Sequence, residues 1–283
     1  MIAGNAHKYP VSAQCGILGI ARSTYYSCLG KEPKPRVDDS ALSKDVERVY
    51  RENRSVYGAR KIKAVLDAQG VTASRRRIVR VMKGLGIASA YTAKKKPRAN
   101  RSPANEAGAP DLVGRKFSGR RPLDVLVGDL TYVRVAGRWA YTCLLLDLAN
   151  REIVGHAAGL RKDASLVRSA FASMDAGLFD VGIFHTDRGS EFDNTDIDRM
   201  LGFFGIRRSL SRKADPYDNA VAEATFKLYK AEFAYREHFS TIRDLQVRLS
   251  DYVHWFNNIR VHSTLGHMTP VEFREKGLTI PST

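Results

Sequence analysis

The sequence predicts an α/β protein in which a mixed sheet with flanking helices follows an all-α region. Between residues 40 and 89, apolar residues recur at helical spacing. From residue 122 the pattern changes to short apolar runs separated by turns, as expected for strands. Residues 1–121 hold 26 Lys and Arg against 9 Asp and Glu, whereas residues 122–283 hold 20 against 21. This asymmetry indicates that the front of the chain binds a polyanion, for which we expect nucleic acid.

The front of the chain is predicted to be helical in two parts. Residues 1–35 are expected to form a short helical hairpin around Gly19, either a truncated helix-turn-helix or a simple packing hairpin. Residues 36–90 are expected to form three helices, the third capped by Thr72. Their inward-facing residues are Leu42, Val46 and Val49; Ile62, Val65 and Leu66; and Ile78, Val81 and Leu85.

The third of these helices is unusually basic. Arg76, Arg80 and Lys83 are spaced at i, i+4 and i+7, which places them on one outer face. This arrangement favours a helix-turn-helix domain that presents its third helix to DNA, although an ordinary solvated helix face also carries such residues. Residues 91–121 follow as a basic flexible linker with no sustained periodicity, and we expect this linker to gain order on a phosphate backbone.

Cysteine usage and hydropathy exclude several classes of protein. Cys15, Cys28 and Cys143 are too few and too scattered for a zinc cage or a disulfide framework, and we expect all three to be buried. The chain has no run of eighteen apolar residues, and its first residues lack the order of a secretory signal. We therefore expect a soluble cytoplasmic protein that makes no contact with a membrane.

Residues 122–283 are predicted to form the sheet and its helices. Strand, strand, strand, helix, strand, helix, strand and helix follow one another, with the fourth strand at Val181 to Phe184. In the last helix, Asp218 to Tyr235, the predicted buried stripe is Val221, Ala224, Leu228, Ala231 and Tyr235. This order is typical of an RNase H-like fold, in which the first strand lies beside the fourth and a later helix crosses the site.

Three acidic residues, Asp129, Asp187 and Glu223, are the candidate catalytic residues. Each lies on a different predicted element, on or beside an apolar stretch where an unpaired charge is costly. Oxygen ligands of this kind suit Mg²⁺ or Mn²⁺, and two such ions can clamp the attacking and leaving oxygens of a phosphodiester. The alternative is three unrelated surface acids. Asp218 competes with Glu223 for the third position, but its place at the helix start suits a cap, so we prefer Glu223.

Other polar residues are predicted to contact DNA or to support the structure, and not to hold metal ions. Lys227 and Lys230 share a helix face with Glu223 and suit the phosphates of a strand that passes the metal site. For Asp147 and His185 a structural role is favoured over metal binding or proton transfer. The remaining polar residues, near the C-terminus, are expected to pin that segment to the core: Asn257, Arg260 and His262.

Several consecutive motifs resemble one known family. HTDRGSEF, SLSRKADPYDNAVAE, the lysine seven residues after the glutamate, and WFNNIRVHSTLGHMTPVEF are similar to the catalytic core of DDE transposases of bacterial insertion sequences. The resemblance is greatest to the second-frame product (OrfB) of the insertion-sequence-three family, which is similar to retroviral integrases. YGARKIKAVLDAQGV resembles the helix-turn-helix that precedes that core. One departure is Ala214-Asp215, where the family usually shows Gly-Asn.

The resemblance implies the chemistry and the partners. Asp129, Asp187 and Glu223 would hold two Mg²⁺ (or Mn²⁺) ions, and Lys230 would contact DNA. The expected activity is that of a transposase, a polynucleotidyl transferase that cuts and joins DNA strands at the ends of its element. Expected partners are double-stranded DNA of insertion-sequence ends and targets, further copies of the chain in the DNA complex, and possibly an OrfA product, in a nucleoid-associated location. The alternatives are a sequence-specific DNA-binding regulator and a structure-selective nuclease on the same fold.

Overall fold

The computed structural model describes residues 2–29, 38–92, 109–211 and 220–281. Contacts divide the chain into two compact units, residues 1–41 and residues 42–283. The first unit contains three short helices: α1 (Ile2–Asn5), α2 (Val11–Ile17) and α3 (Arg22–Cys28). Gly19 links the last two with a φ of 64°, a left-handed conformation that favours glycine. Cys15 and Cys143 are buried as expected, but Cys28 is exposed because α3 buries none of its residues.

Three helices follow: α4 (Ser40–Glu52), whose residues from Leu42 onward belong to the second unit, α5 (Ala59–Ala68) and α6 (Arg75–Gly84). The apolar residues predicted to face inward are buried, except that Val65 and Leu85 are only half-buried. The predicted cap of the third helix is wrong. Ser74, not Thr72, accepts a hydrogen bond from the Arg77 backbone N–H (3.3 Å), because the helix begins at Arg75 and Ser74 is the residue that precedes it.

A five-stranded mixed sheet forms the centre of this unit. Its strands are β1 (Val125–Val135), β2 (Arg138–Asp147), β3 (Ile153–Gly159), β4 (Ile183–Thr186) and β5 (Arg207–Leu210). The spatial order is β3-β2-β1-β4-β5, with β1 to β3 antiparallel and with β4 and β5 parallel to β1. The fourth strand begins two residues later than predicted. The expected RNase H-like topology, with the first strand beside the fourth, is confirmed.

Helices cover both faces of the sheet. They are α7 (Ala164–Ala172), α8 (Thr195–Phe204), α9 (Ala220–Tyr229), α10 (Ile242–Asn258) and α11 (Pro270–Glu275), with a π-helical turn (Lys230–Ala234) after α9. Residues of α7 and α8 pack with Leu126, Leu145 and Phe184 on one face. On the other face, α9 and α10 pack with Val125 and Val127, in a core continuous with that of α4 to α6. Among the described helices, none is long and apolar enough to span a membrane.

The buried stripe of α9 differs from the predicted one. Ala224 and Tyr235 are exposed, and the other three predicted residues are only half-buried. The stripe that packs inward is instead Ala222, Thr225, Phe226, Tyr229 and Phe233. Both stripes have helical periodicity, but the second carries three aromatic rings, two of which stack against Tyr252 of α10. The larger aromatic area decides which face is buried.

A buried ion pair joins this helix to the rest of the unit. Glu232, in the π-helical turn, accepts hydrogen bonds from Arg260 Nε (2.9 Å) and Nη2 (2.7 Å), and also from the hydroxyls of Tyr91 and Tyr252. The Tyr57 hydroxyl accepts a hydrogen bond from the Val261 backbone N–H (2.8 Å). Because Tyr57 and Tyr91 flank α5 and α6, these hydrogen bonds connect the helical region directly to the helices that pack on the sheet.

Other polar residues take the structural roles predicted for them. The Asp147 carboxylate accepts hydrogen bonds from the backbone N–H groups of Leu123 (2.9 Å) and Ala149 (2.8 Å). His185 is fully buried, with Nδ1 2.8 Å from the Ser209 hydroxyl. Asn257 bonds both backbone groups of one residue in β3. The prediction that the C-terminal segment is pinned to the core is therefore confirmed.

The predicted flexible linker, residues 91–121, lies partly outside the described residues. Its final residues, from 109 onward, contact the core. Val113 is buried, and the Leu112 N–H donates to the Ser209 hydroxyl (2.9 Å). The Arg151 guanidinium donates to the Phe117 carbonyl (3.0 Å). These contacts correct the expectation that the whole segment is a mobile tether, because apolar and backbone groups bind its end to the sheet region.

We predict that Glu232→Gln destabilises the protein strongly. Glutamine cannot neutralise Arg260, so a buried guanidinium loses its counter-charge, at a cost of about 3–5 kcal/mol. The free energy of unfolding by urea measures this change. As a control, Glu47→Gln removes the partner of Arg51 in an exposed pair and should cost less than about 0.5 kcal/mol. Equal losses of unfolding free energy for the two variants would show that the buried Glu232–Arg260 ion pair does not stabilise the fold.

Candidate active site

The pairing of β1 with β4 brings the first two candidate carboxylates together. Val125 lies opposite Ile183 and Val127 opposite His185 in a parallel register. Asp129 and Asp187 each lie two residues beyond the last of these pairs, so the same offset places them side by side just past the point where the β1–β4 pairing ends. Asp129 is inside β1 and half-buried, whereas Asp187 lies just after β4 and is more exposed.

Asp129 occupies an environment that disfavours a negative charge. Burial, together with the negative charge of Asp187, raises the pKa of Asp129 to about 7. The Leu130 N–H, which donates to Oδ1 (2.7 Å), and the Lys230 ammonium act in the opposite direction without offsetting that rise. The chain therefore holds a carboxyl group where added positive charge would stabilise the ionised form.

Asp187 is fixed by the turn that follows β4. Its Oδ1 accepts a hydrogen bond from the Gly189 N–H (3.0 Å), and the neighbouring Arg188 donates to the Ser211 carbonyl (3.1 Å). Loss of hydration in this turn raises the pKa of Asp187, the Gly189 hydrogen bond opposes the rise, and the charge of Glu191 adds to it. Both aspartates thus share the tendency to bind a proton or a cation.

An ion pair that the sequence analysis missed lies beside these aspartates. Glu191 is buried, and its Oε1 is 2.9 Å from the Lys162 ammonium in the loop between β3 and α7. Burial lowers the pKa of Lys162, but the hydrogen bond and charge of Glu191 raise it above its ordinary value. The two residues line a cleft of about 280 Å³ between the N-terminal ends of α7 and α8. The signal available in the sequence was an acidic residue four positions after Asp187.

Glu223 lies in the first turn of α9, where it forms a pair with Lys227 (3.6 Å). Within the described residues, no group of three His, Cys, Asp or Glu side chains is close enough to hold one metal ion. The structure therefore brings Asp129 and Asp187 together but does not gather Glu223 with them. Asp218, the competing third ligand, and the Ala214-Asp215 departure lie outside the described residues.

The basic residues proposed to meet DNA occupy two places. Arg76, Arg80 and Lys83 are exposed on α6, as predicted. Lys230 begins the π-helical turn, and its ammonium lies 5.8 Å from the centre of the Tyr132 ring on β1. The positive charge of Lys230 also lowers the pKa of Asp129, in opposition to the larger effect of burial.

Comparison with protein families agrees with the fold. Two integrase core domain families match residues 119–216 and 223–278, and an HTH-like domain family matches residues 37–96. The integrase core matches include all three candidate carboxylates, and the HTH-like match includes α4 to α6. Together with the RNase H-like sheet, these matches define a polynucleotidyl transferase with an attached helix-turn-helix region.

Comparison with individual proteins identifies the family more closely. The transposase for insertion sequence element IS629 of Shigella sonnei is 31% identical over 276 residues, or 94% of this chain and 91% of that protein. The putative transposase for IS986/IS6110 of Mycobacterium tuberculosis is 33% identical over 262 residues, or 89% of this chain and 94% of that protein. The HTLV-2 integrase catalytic core domain in complex with magnesium has a TM-score of 0.41 and 13% identity, covering 54% of this chain and 96% of its own.

The chain belongs to the transposases of bacterial insertion sequences, of the insertion-sequence-three type. Its activity is therefore DNA transposition, which includes the cutting and joining of DNA strands. Membership in this family favours a strand-joining transposase over the two alternatives, a DNA-binding regulator and a nuclease that does not join strands.

We predict that Asp129→Asn stabilises the metal-free protein at high pH. Because folding raises the pKa of Asp129 from near 4 to about 7, the wild-type protein loses stability as the pH rises between these values, and asparagine does not. The variant should gain on the order of 4 kcal/mol at pH 8 and almost nothing at pH 4. Urea unfolding in EDTA at several pH values measures the difference. If the free energy of unfolding changes with pH in the same way for both proteins, burial does not raise the pKa of Asp129.

Proposed function

We propose that Asp129, Asp187 and Glu223 are the catalytic residues and that they hold two divalent ions, Mg²⁺ or Mn²⁺. The observation that supports this most directly is that the β1–β4 register places Asp129 beside Asp187, where partial loss of hydration opposes the ionisation of both carboxyl groups. All the candidate ligand atoms are carboxylate oxygens, which hard divalent cations prefer. The residues present therefore fit the ions that the chemistry requires.

Glu223 would have to leave Lys227 to join the aspartates. An exposed pair at i, i+4 on a helix is worth only about 0.5 kcal/mol, and the Glu223 side chain is 43% exposed. This exchange costs little against the binding of a divalent ion. We therefore keep Glu223 as the third ligand, in preference to Asp218.

The chain's own residues would prepare the site for phosphoryl transfer. When bound, the ions would supply activation of the attacking oxygen and neutralisation of charge on the phosphate. Asp129 and Asp187 would fix the position of the reacting phosphodiester relative to the sheet, because backbone hydrogen bonds restrain both carboxylates. Glu191 would restrain Lys162 beside them, so the ammonium could meet a phosphate oxygen. Water and then a 3′-OH would be the successive nucleophiles.

DNA would be held along basic residues on two elements. Arg76, Arg80 and Lys83 on α6 would contact the duplex in the manner of a helix-turn-helix domain, which the exposure of this face supports. Lys227 and Lys230 would contact the strand that enters the site. Further copies of the chain, together with an OrfA product, would join the DNA complex, on bacterial DNA in the cytoplasm.

We predict that Asp129→Ala, Asp187→Ala and Glu223→Ala each lower cutting and joining of labelled element ends by about 10³-fold or more. Removal of a metal ligand removes several kcal/mol of charge stabilisation in the transition state, while DNA affinity should change little. Gel separation of nicked and joined products with Mg²⁺ measures both steps. Glu275→Ala, an exposed acid on α11, is the control. Near-normal activity of Glu223→Ala together with an inactive Asp218→Ala would transfer the third ligand to Asp218.

We predict that Lys230→Ala weakens engagement of the element end and lowers joining, and that Lys230→Glu lowers joining further. The second change adds repulsion against the backbone in addition to the loss of attraction. Joining rates at several salt concentrations test this, because added salt screens both effects. A normal rate for Lys230→Glu at physiological salt would show that this residue does not approach DNA.

A further inference from the structure

A groove outside the catalytic site lies between the helical region and the C-terminal segment of the core. Its volume is about 480 Å³. The lining residues come from α5, from the start of α6 and from the turn before α11: Arg60, Lys63, Ala64, Asp67, Ser74, Arg75, Arg76 and His267. The groove is therefore built by two parts of the chain that are far apart in sequence.

The charge of this groove is strongly positive. Four basic side chains line it against one acid, Asp67, whose carboxylate is already bound by Lys63 (2.9 Å). Within the described parts of the chain, Arg60, Arg75 and Arg76 have no acidic partner within ion-pair distance. Three guanidinium groups that line one groove without an acidic partner of their own would attract an anionic ligand.

His267 belongs to the C-terminal part of the integrase core, and it lines the groove opposite residues of α5 and α6. It follows Gly266 in a tight turn, with a φ of 65°, and its backbone N–H donates to the His262 carbonyl (2.8 Å). The Arg260–Glu232 ion pair, which also binds Tyr91, lies just before this turn. The buried network therefore fixes His267 relative to α5 and α6, so the groove is formed before any ligand binds.

We propose that this groove binds the phosphate backbone of duplex DNA, so that α5, α6 and the C-terminal turn of the core hold the same duplex. The ligand chemistry is a row of phosphates, since guanidinium groups pair with phosphate oxygens in a fixed planar geometry. The proposal rests on the proposed function, in which DNA is the partner. It adds three residues to the DNA contacts, Arg60, Arg75 and His267, and it gives the C-terminal turn a part in DNA binding.

Backbone contacts carry no sequence information, so the groove sets position rather than specificity. The base-reading role stays with the outer face of α6. Loss of groove residues should therefore weaken binding equally for an element end and for an unrelated duplex.

The first experiment measures the dependence of DNA affinity on salt concentration in the full-length chain. Arg60→Ala/Arg75→Ala should reduce the slope of log K against log [salt] by roughly two and lower affinity roughly tenfold, because two phosphate contacts are lost. Arg199→Ala/Arg243→Ala removes the same charge from exposed positions on α8 and α10 and is the matched control. Its slope should stay close to that of the wild type. Identical slopes for the two double variants would overturn the proposal.

The second experiment compares His267→Asn with His267→Asp. The two new side chains have the same shape, and both tolerate the left-handed backbone at this position, so they differ only in charge. The aspartate should bind both duplexes several-fold more weakly than the asparagine, with equal thermal stability. Equal DNA affinities of the two variants would show that the C-terminal turn does not contact DNA.

Strand joining by the same preparations separates this proposal from the proposed function. In one outcome, the wild-type protein joins element ends with Mg²⁺ while the groove variants bind DNA as the control variant does. That result would overturn the DNA-binding role of the groove and leave the catalytic assignment intact. If the wild-type protein instead binds DNA with the predicted salt dependence but never joins strands, the catalytic assignment is overturned. The DNA-binding role of the groove is then retained.

Discussion

The parallel pairing of β1 with β4 is the constraint on which the rest of the site depends. Hydrogen bonds between the strands set the register, and the register places Asp129 and Asp187 at equal offsets beyond the last paired residues. The strands are held together by buried apolar packing that leaves no room beside Gly128, where an added Cβ would lie 2.6 Å from the Phe184 ring. Two carboxyl groups are thus held side by side at a partly desolvated position, which raises the pKa of both and favours the binding of a proton or a cation.

A second constraint links this edge to the helical region. Glu232 lies in the π-helical turn that follows α9, and its ion pair with Arg260 also binds Tyr91. Breaking such a pair leaves an uncompensated charge in the core, so the two regions are held in a defined arrangement. DNA held by α6 would then be presented at a fixed distance from the carboxylates. The same arrangement forms the basic groove that contains His267.

The sequence predicted the strand order and the meeting of Asp129 with Asp187, because apolar periodicity and element order determine an RNase H-like sheet. It could not predict the pair of Glu191 with Lys162, since that contact depends on how two separate loops fold. The buried face of α9 was also mispredicted. Two stripes on that helix have equal periodicity, and only the aromatic stacking against Tyr252 chooses between them.

Proton release on metal binding tests the central claim most directly. Calorimetric titration of the free protein with Mg²⁺ or Mn²⁺, in buffers of different ionisation enthalpy, counts the protons that leave. If Asp129 is a metal ligand with a pKa of about 7, binding releases roughly half a proton at pH 7 and almost none at pH 9. Asp129→Asn should abolish the release. Metal binding by the wild-type protein without any proton release at pH 7 would contradict the account.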